Sequence, residues 1–114
     1  WAPAYVLYHE PASRFVAGFI GENNVLPWRH PEGGREVFLA VRPEDIRCSP
    51  GAGDGGLYGT VTESVYQGAD CLVHVSLAGG QVVKIRRSGR GGALPPGTGV
   101  HLTWPEEAAW LLEP

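Results

Sequence analysis

His9, His30, His74 and His101 are the side chains best suited to metal or acid–base chemistry, and they are scattered. None stands in H-E-x-x-H or another spaced pair that would hold a metal. His74 and His101 fall in expected strands, on faces opposite the inward valines, and read as solvated side chains. Cys48 and Cys71 are far apart and not at a metal spacing, so they read as two free thiols, with a single disulfide left open. Ser13, Ser49, Ser64, Ser76 and Ser88 lack a nucleophile-elbow context. Glu106 and Glu107 are adjacent, and neighbouring residues do not face each other in a helix or a strand. The only lysine is Lys84, and no G-x-x-x-x-G-K-[ST] phosphate loop is present. Gly53-Asp54-Gly55-Gly56 and Gly89-Arg90-Gly91-Gly92 do not lead into helices, which anion binding at a helix N-terminus requires, so both read as loops. No catalytic, cofactor-binding or metal-ligating residue is assigned, and the chain reads as no enzyme by itself.

Lys84, Arg86, Arg87 and Arg90 form the one basic cluster. It reads as a solvated or salt-bridged strand, with a protein contact or a nucleic-acid backbone as alternatives. Single-strand binders place aromatics among their basic strands, and residues 81–90 contain none. The net charge of −3 also lacks the basic excess of nucleic-acid binders, so nucleic acid is not an expected partner. Trp1, Trp28, Trp104 and Trp110 lie near expected element ends, as core plugs or as interface residues.

The elements that hold these residues follow from composition and periodicity. A chain of 114 residues with 43% hydrophobic and 18% charged residues suits one globular domain. Its 17 glycines and 10 prolines favour many short elements joined by turns. No apolar run nears the roughly 18–20 residues that cross a bilayer, and no basic-then-apolar leader opens the chain. It starts at Trp1 and contains no Met, which reads as a fragment of a longer protein.

Residues 11–21 predict a short helix. Pro11 suits its first turn, Phe15, Val16, Phe19 and Ile20 share one face, and Gly21 suits the stop. Residues 22–36, with Asn23-Asn24, Pro27, Pro31 and Gly33-Gly34, read as a linker. Residues 36–41 read as a strand ended by Pro43, and residues 49–56 as a loop. Three alternating segments, 57–66, 70–77 and 81–87, read as a meander. Leu57, Gly59, Val61 and Val65 share one face of the first, and Cys71, Val73, Val75 and Leu77 point inward from the second. Ala78-Gly79-Gly80 is a hairpin connection. Residues 100–104 read as the last strand, and residues 105–112 as one helical turn or an extended tail. The expected fold is mainly β: a small OB-like antiparallel barrel of about five strands with one short N-terminal helix. Residues 1–35 are the connecting helix and linker, and residues 36–114 the barrel.

Four blocks, in order, resemble the segment that follows the nucleotide-binding domain in ABC importer ATPases. They are Tyr8-His9-Glu10-Pro11-Ala12-Ser13-Arg14-Phe15-Val16-Ala17-Gly18-Phe19-Ile20-Gly21 with Asn24; Leu39-Ala40-Val41-Arg42-Pro43-Glu44; Gly59-Thr60-Val61 followed by Val65-Tyr66-Gln67-Gly68; and Pro96-Gly97 before Val100-His101-Leu102-Thr103-Trp104. The chain is thereby identified as a member of the TOBE type, a C-terminal OB-like regulatory module, and it looks most like those of spermidine/putrescine-type importers. Residues 27–36 do not match the family's first β-segment closely, which puts the first strand in doubt.

The resemblance implies a parent whose ATPase domain holds ATP and Mg, so no cofactor is expected in this fragment. Implied partners are that ATPase domain, a second ATPase subunit in a homodimer, the permease subunits and a small regulatory ligand. The implied location is the cytoplasmic face of the inner membrane, peripheral, within a transporter complex. Structural or interface roles fall on Phe15, Phe19, Asn24, Arg42, Glu44, Tyr66, Gly68 and Trp104, with Arg42 and Glu44 read as a salt bridge fixing a strand end. The alternative is a stand-alone OB-like module that binds an oxyanion at a subunit interface through Arg42, Lys84, Arg86 and the Gly loops.

Overall fold

The computed structural model describes residues 23–51, 53, 55–91 and 93–112, which form eight strands and no α-helix among them. The helix expected over residues 11–21, with Phe15 and Phe19, lies outside the described residues. None of the described helices is long and apolar enough to cross a membrane. The chain divides into two compact units, one drawn from Trp1–Arg42 and Glu106–Pro114, the other Pro43–Pro105. Each holds its own antiparallel sheet, and the ladders close no barrel among the described residues.

The first unit is a three-stranded sheet of β1 (Asn24–Arg29), β2 (Glu36–Val41) and β8 (Ala109–Leu112), in the order β1-β2-β8. β1 occupies residues that the sequence reads as linker. Pro27 obscures it, yet a proline lacking its N–H is tolerated on an edge strand, which β1 is. Trp28 pairs with Val37 and Arg29 with Glu36, so the hairpin runs in register to its tip. There His30 N–H donates to Arg35 O at 2.9 Å, and Gly33 and Gly34 take φ of +83° and +67°. β2 is buried along most of its length, with Val37, Leu39, Ala40 and Val41 joined by Leu26 and Leu112. Residues 105–112, read as a turn or an extended tail, hold both: a 3₁₀ turn over Glu106–Ala108, then β8.

The second unit is a five-stranded sheet in the order β3-β7-β4-β5-β6. Its strands are β3 (Arg47–Pro50), β4 (Leu57–Gln67), β5 (Asp70–Leu77), β6 (Val82–Ser88) and β7 (Gly99–Thr103). The expected meander is β4-β5-β6. Val73, Val75, Val83, Ile85, Val100 and Leu102 are fully buried and form its core, with Cys71 and Val61. Burying each such aliphatic side chain is worth roughly 1.5–3 kcal/mol against leaving it in water.

Two turns fix the register. Gln67 pairs with Asp70 across a two-residue connection whose first residue, Gly68, has φ +66° while Ala69 stays negative. That is the glycine-first primed turn whose twist matches the strands. Gly80, at φ +87°, serves the β5–β6 turn, where Gly80 N–H donates to Leu77 O at 2.9 Å.

One expectation fails inside β4. Val65 was placed on the inward face with Val61, but it is 40% exposed. Val61 pairs with Val75 and Glu63 with the next residue, His74, so Thr62 is an extra residue in the ladder. Such a bulge reverses the alternation beyond it. Glu63 and Val65 therefore turn outward, and Ser64 turns in.

Candidate functional site

The bulge at Thr62 sets up the pairing closest to acid–base geometry. It brings Glu63 opposite His74, with Glu63 Oε1 at 3.0 Å from His74 Nδ1. Thr62 Oγ1 donates to the His74 carbonyl at 3.2 Å. Glu63 is mostly exposed, and the pair ties β4 to β5 at the bulge. His101 spends its Nε2 on the Gly55 carbonyl, and Gly53 lies against its ring. His30 accepts the Glu32 N–H on Nδ1 at 2.9 Å, capping the β1–β2 tip. Among the described residues no three His, Cys, Asp or Glu side chains gather to hold a metal. Cys48 and Cys71 are free thiols, half-buried and buried.

The Arg-Pro-Glu block splits into two contacts, each inside its own unit, in place of the expected Arg42–Glu44 bridge. Arg42 lies over the Trp110 ring, 5.5 Å from its centroid, a cation–π contact that ties the end of β2 to β8. Glu44, in the 3₁₀ turn Pro43–Asp45, reaches Arg86 Nη1 at 3.5 Å. That turn packs against β6, the edge strand of its sheet among the described residues, and an edge is where another chain could add a ladder.

The remaining candidates take structural places. Asn24 is buried at the start of β1, opposite Val41. Tyr66 is 61% exposed, yet its hydroxyl accepts the Ala93 N–H at 3.2 Å. Beside it, Ser64 Oγ accepts the Leu94 N–H at 3.1 Å and donates to the Leu94 carbonyl at 3.0 Å, which holds the chain after β6 across β4. Gly68 serves the turn described above. Trp104 is half-buried just beyond β7. Phe15 and Phe19 lie outside the described residues. The structure thus draws together Arg42 with Trp110 and Glu44 with Arg86, and gathers no shared constellation from the other candidates.

Two features escaped the sequence reading. An open cleft of about 650 Å³ lies on the β1–β2 hairpin, between Trp28 and Phe38, with Arg29 and Glu36 at 3.6 Å from each other on its rim. Pro27, Trp28 and Arg29 were hidden inside the supposed linker. The second is Arg87, grouped by charge with its neighbours as a solvated cation. Period-two alternation along β6 puts it on the face of Val83 and Ile85, and the structure keeps it half-buried there. That signal was present in the sequence.

A TOBE domain model matches residues 39–112. The chain is 34% identical to the spermidine/putrescine import ATP-binding protein PotA of Ruegeria pomeroyi, over 93% of this chain and 36% of that protein. It is 30% identical to the protein of the same name from Frankia alni, over 95% of this chain and 32% of that one. The uncharacterized ABC transporter ATP-binding protein YdcT of Escherichia coli is 33% identical over 86% of this chain and 31% of its own length. The chain therefore spans about a third of the curated relatives it matches. Among solved structures, the cytoplasmic molybdate-binding protein ModG superposes with a TM-score of 0.61 at 20% identity, covering 71% of this chain and 64% of that one, a likeness of fold.

Proposed function

The chain belongs to the TOBE-domain family, and from that premise we propose that it is the C-terminal regulatory and dimerisation module of the ATP-binding subunit of an ABC importer for spermidine and putrescine. The observation that carries this reading is the match along 93% of the chain to a spermidine/putrescine import ATP-binding protein, of which it spans 36%. The rest of the parent supplies the ATPase domain, and ATP and Mg bind there. A second ATP-binding subunit completes a homodimer, and permease subunits receive the work of hydrolysis. The assembly sits peripherally on the cytoplasmic face of the inner membrane. This chain acts through contact, with loops carried on its sheets meeting the partners.

The second reading is a stand-alone module that takes an oxyanion at a subunit interface; of its expected side-chain donors, Arg42 lies over Trp110 and Arg86 pairs with the exposed Glu44.

Uptake of labelled spermidine tests the first reading. In cells whose only polyamine importer contains the parent subunit, deleting this module is expected to leave nucleotide binding by the ATPase domain intact and to lower uptake. Unchanged uptake after deletion contradicts a regulatory role. Spermidine uptake at background level with the intact parent contradicts the polyamine assignment.

A further inference from the structure

The three-stranded sheet carries buried side chains on both faces. Leu26 pairs with Leu39, and alternation sets these two with Val37 and Val41 on one face. Phe38 pairs with Leu112, and alternation sets these two with Ala40 on the other. Leu26, Val37, Leu39 and Val41 are buried, and so are Ala40 and Leu112. A single sheet cannot exclude water from its own two faces, so a second layer is required. The described residues of this unit supply none, since they are the three strands, their connections and the 3₁₀ turn Glu106–Ala108. The rest of the unit is residues 1–22 and 113–114. Only the first stretch is long enough to make a layer.

The sequence of that stretch suits the task. Residues 11–21 predict a helix of about three turns, with Phe15, Val16, Phe19 and Ile20 on one face. A helix this short is marginal in water and needs an apolar surface to pack on. Its length is about 16 Å, and β1 from Asn24 to Arg29 spans about 17 Å. Only Glu22 and Asn23 join the two, as short as the connections that turn a helix back along the strand that follows it. On that path Phe19 comes level with the start of β1. Phe15, one turn further back, comes level with Pro27. There the cleft of about 650 Å³ begins, lined by Pro27, Trp28, Val37 and Phe38, with the Arg29–Glu36 pair on its rim.

We propose that residues 11–21 fold back along β1 as a helix and seat Phe15 in the cleft between Trp28 and Phe38, giving the small sheet its second layer. The three aromatic residues all precede residue 39, where the TOBE match begins. The proposal does not depend on the importer reading.

Nuclear magnetic resonance of the isotopically labelled 114-residue chain tests this without altering a residue. Nuclear Overhauser contacts are expected from the Phe15 ring to the Trp28 indole or the Phe38 ring. In a mixture of labelled and unlabelled chains, these contacts are expected to be absent from the spectrum filtered for intermolecular pairs. Amide exchange over residues 15–20 is expected to be about tenfold or more slower than in an unstructured chain. Phe15→Asp is expected to return those amides to unstructured rates while the amides of Leu39 and Val73 stay protected. The wild-type contacts decide on their own: no contact of Phe15 with Trp28 or Phe38 overturns the proposal. A contact seen only between molecules also overturns it, because the occupant is then a second copy, and so does a contact made only with residues 43–105. Slow exchange over residues 15–20 that survives Phe15→Asp unchanged contradicts it as well.

Discussion

The β4-β5-β6 meander and the β1-β2-β8 sheet are both antiparallel, but they differ in how their partners are found. In the meander each strand pairs with the next through a two-residue glycine turn or a short glycine connection. Fully buried Val73, Val75, Val83 and Ile85 alternate with polar residues on the outer face. In the smaller sheet β2 must find β8 from the far end of the chain, and β1 is an edge strand with Pro27 in its middle. The meander is specified locally. The smaller sheet is specified by burial that only tertiary structure supplies.

If that contrast is correct, the meander core is the most sensitive place in the second unit. Ile85→Ala is expected to cost about 3–4 kcal/mol in denaturant unfolding, from lost burial and the cavity left behind. A loss under 1 kcal/mol would show that the meander core is not what holds this sheet.

A sharper test sits where two strands approach closely. A Cβ on Gly59 would stand 2.6 Å from Val75 Cγ1 and 2.7 Å from the Ser76 carbonyl. Gly59→Ala is therefore expected to cost about 1–3 kcal/mol despite the gain in strand propensity, read from the same unfolding curves. A neutral result would mean that β4 and β5 separate more readily than their register implies.

The smallest effect belongs to the exposed edge. Glu44→Ala removes a pair whose side chains are 49% and 41% exposed, and the expected loss is at most about 0.5 kcal/mol. Glu44 and Arg86 hold a turn over an edge strand, so the more telling readout is self-association. Sedimentation is expected to show more dimer or higher species in Glu44→Ala than in wild type.

The sequence made the meander legible because alternation, glycine turns and valine-rich inward faces agree there. It concealed β1 because Pro27 and Asn23-Asn24 mimic a linker, and β3 because Arg47–Pro50 carries no alternation and pairs only with distant β7. β8 reads as a continuous apolar run, Ala109–Leu112, which no local rule separates from a helical turn. The count of about five strands fell short for these three reasons. Val65 was misplaced because a bulge breaks the period without changing composition. For the candidate site, the Arg42-Pro43-Glu44 block was visible as a motif, but its partners Trp110 and Arg86 come from strands that the motif does not mention. Arg87 was legible from its own strand and was passed over because its charge resembled that of its neighbours.

The central claim is that this chain works through contact while nucleotide chemistry belongs to the rest of its parent. Titration of MgATP into the isolated chain, followed by calorimetry, tests it most directly. No saturable heat is expected into the millimolar range, and a micromolar dissociation constant would contradict the account.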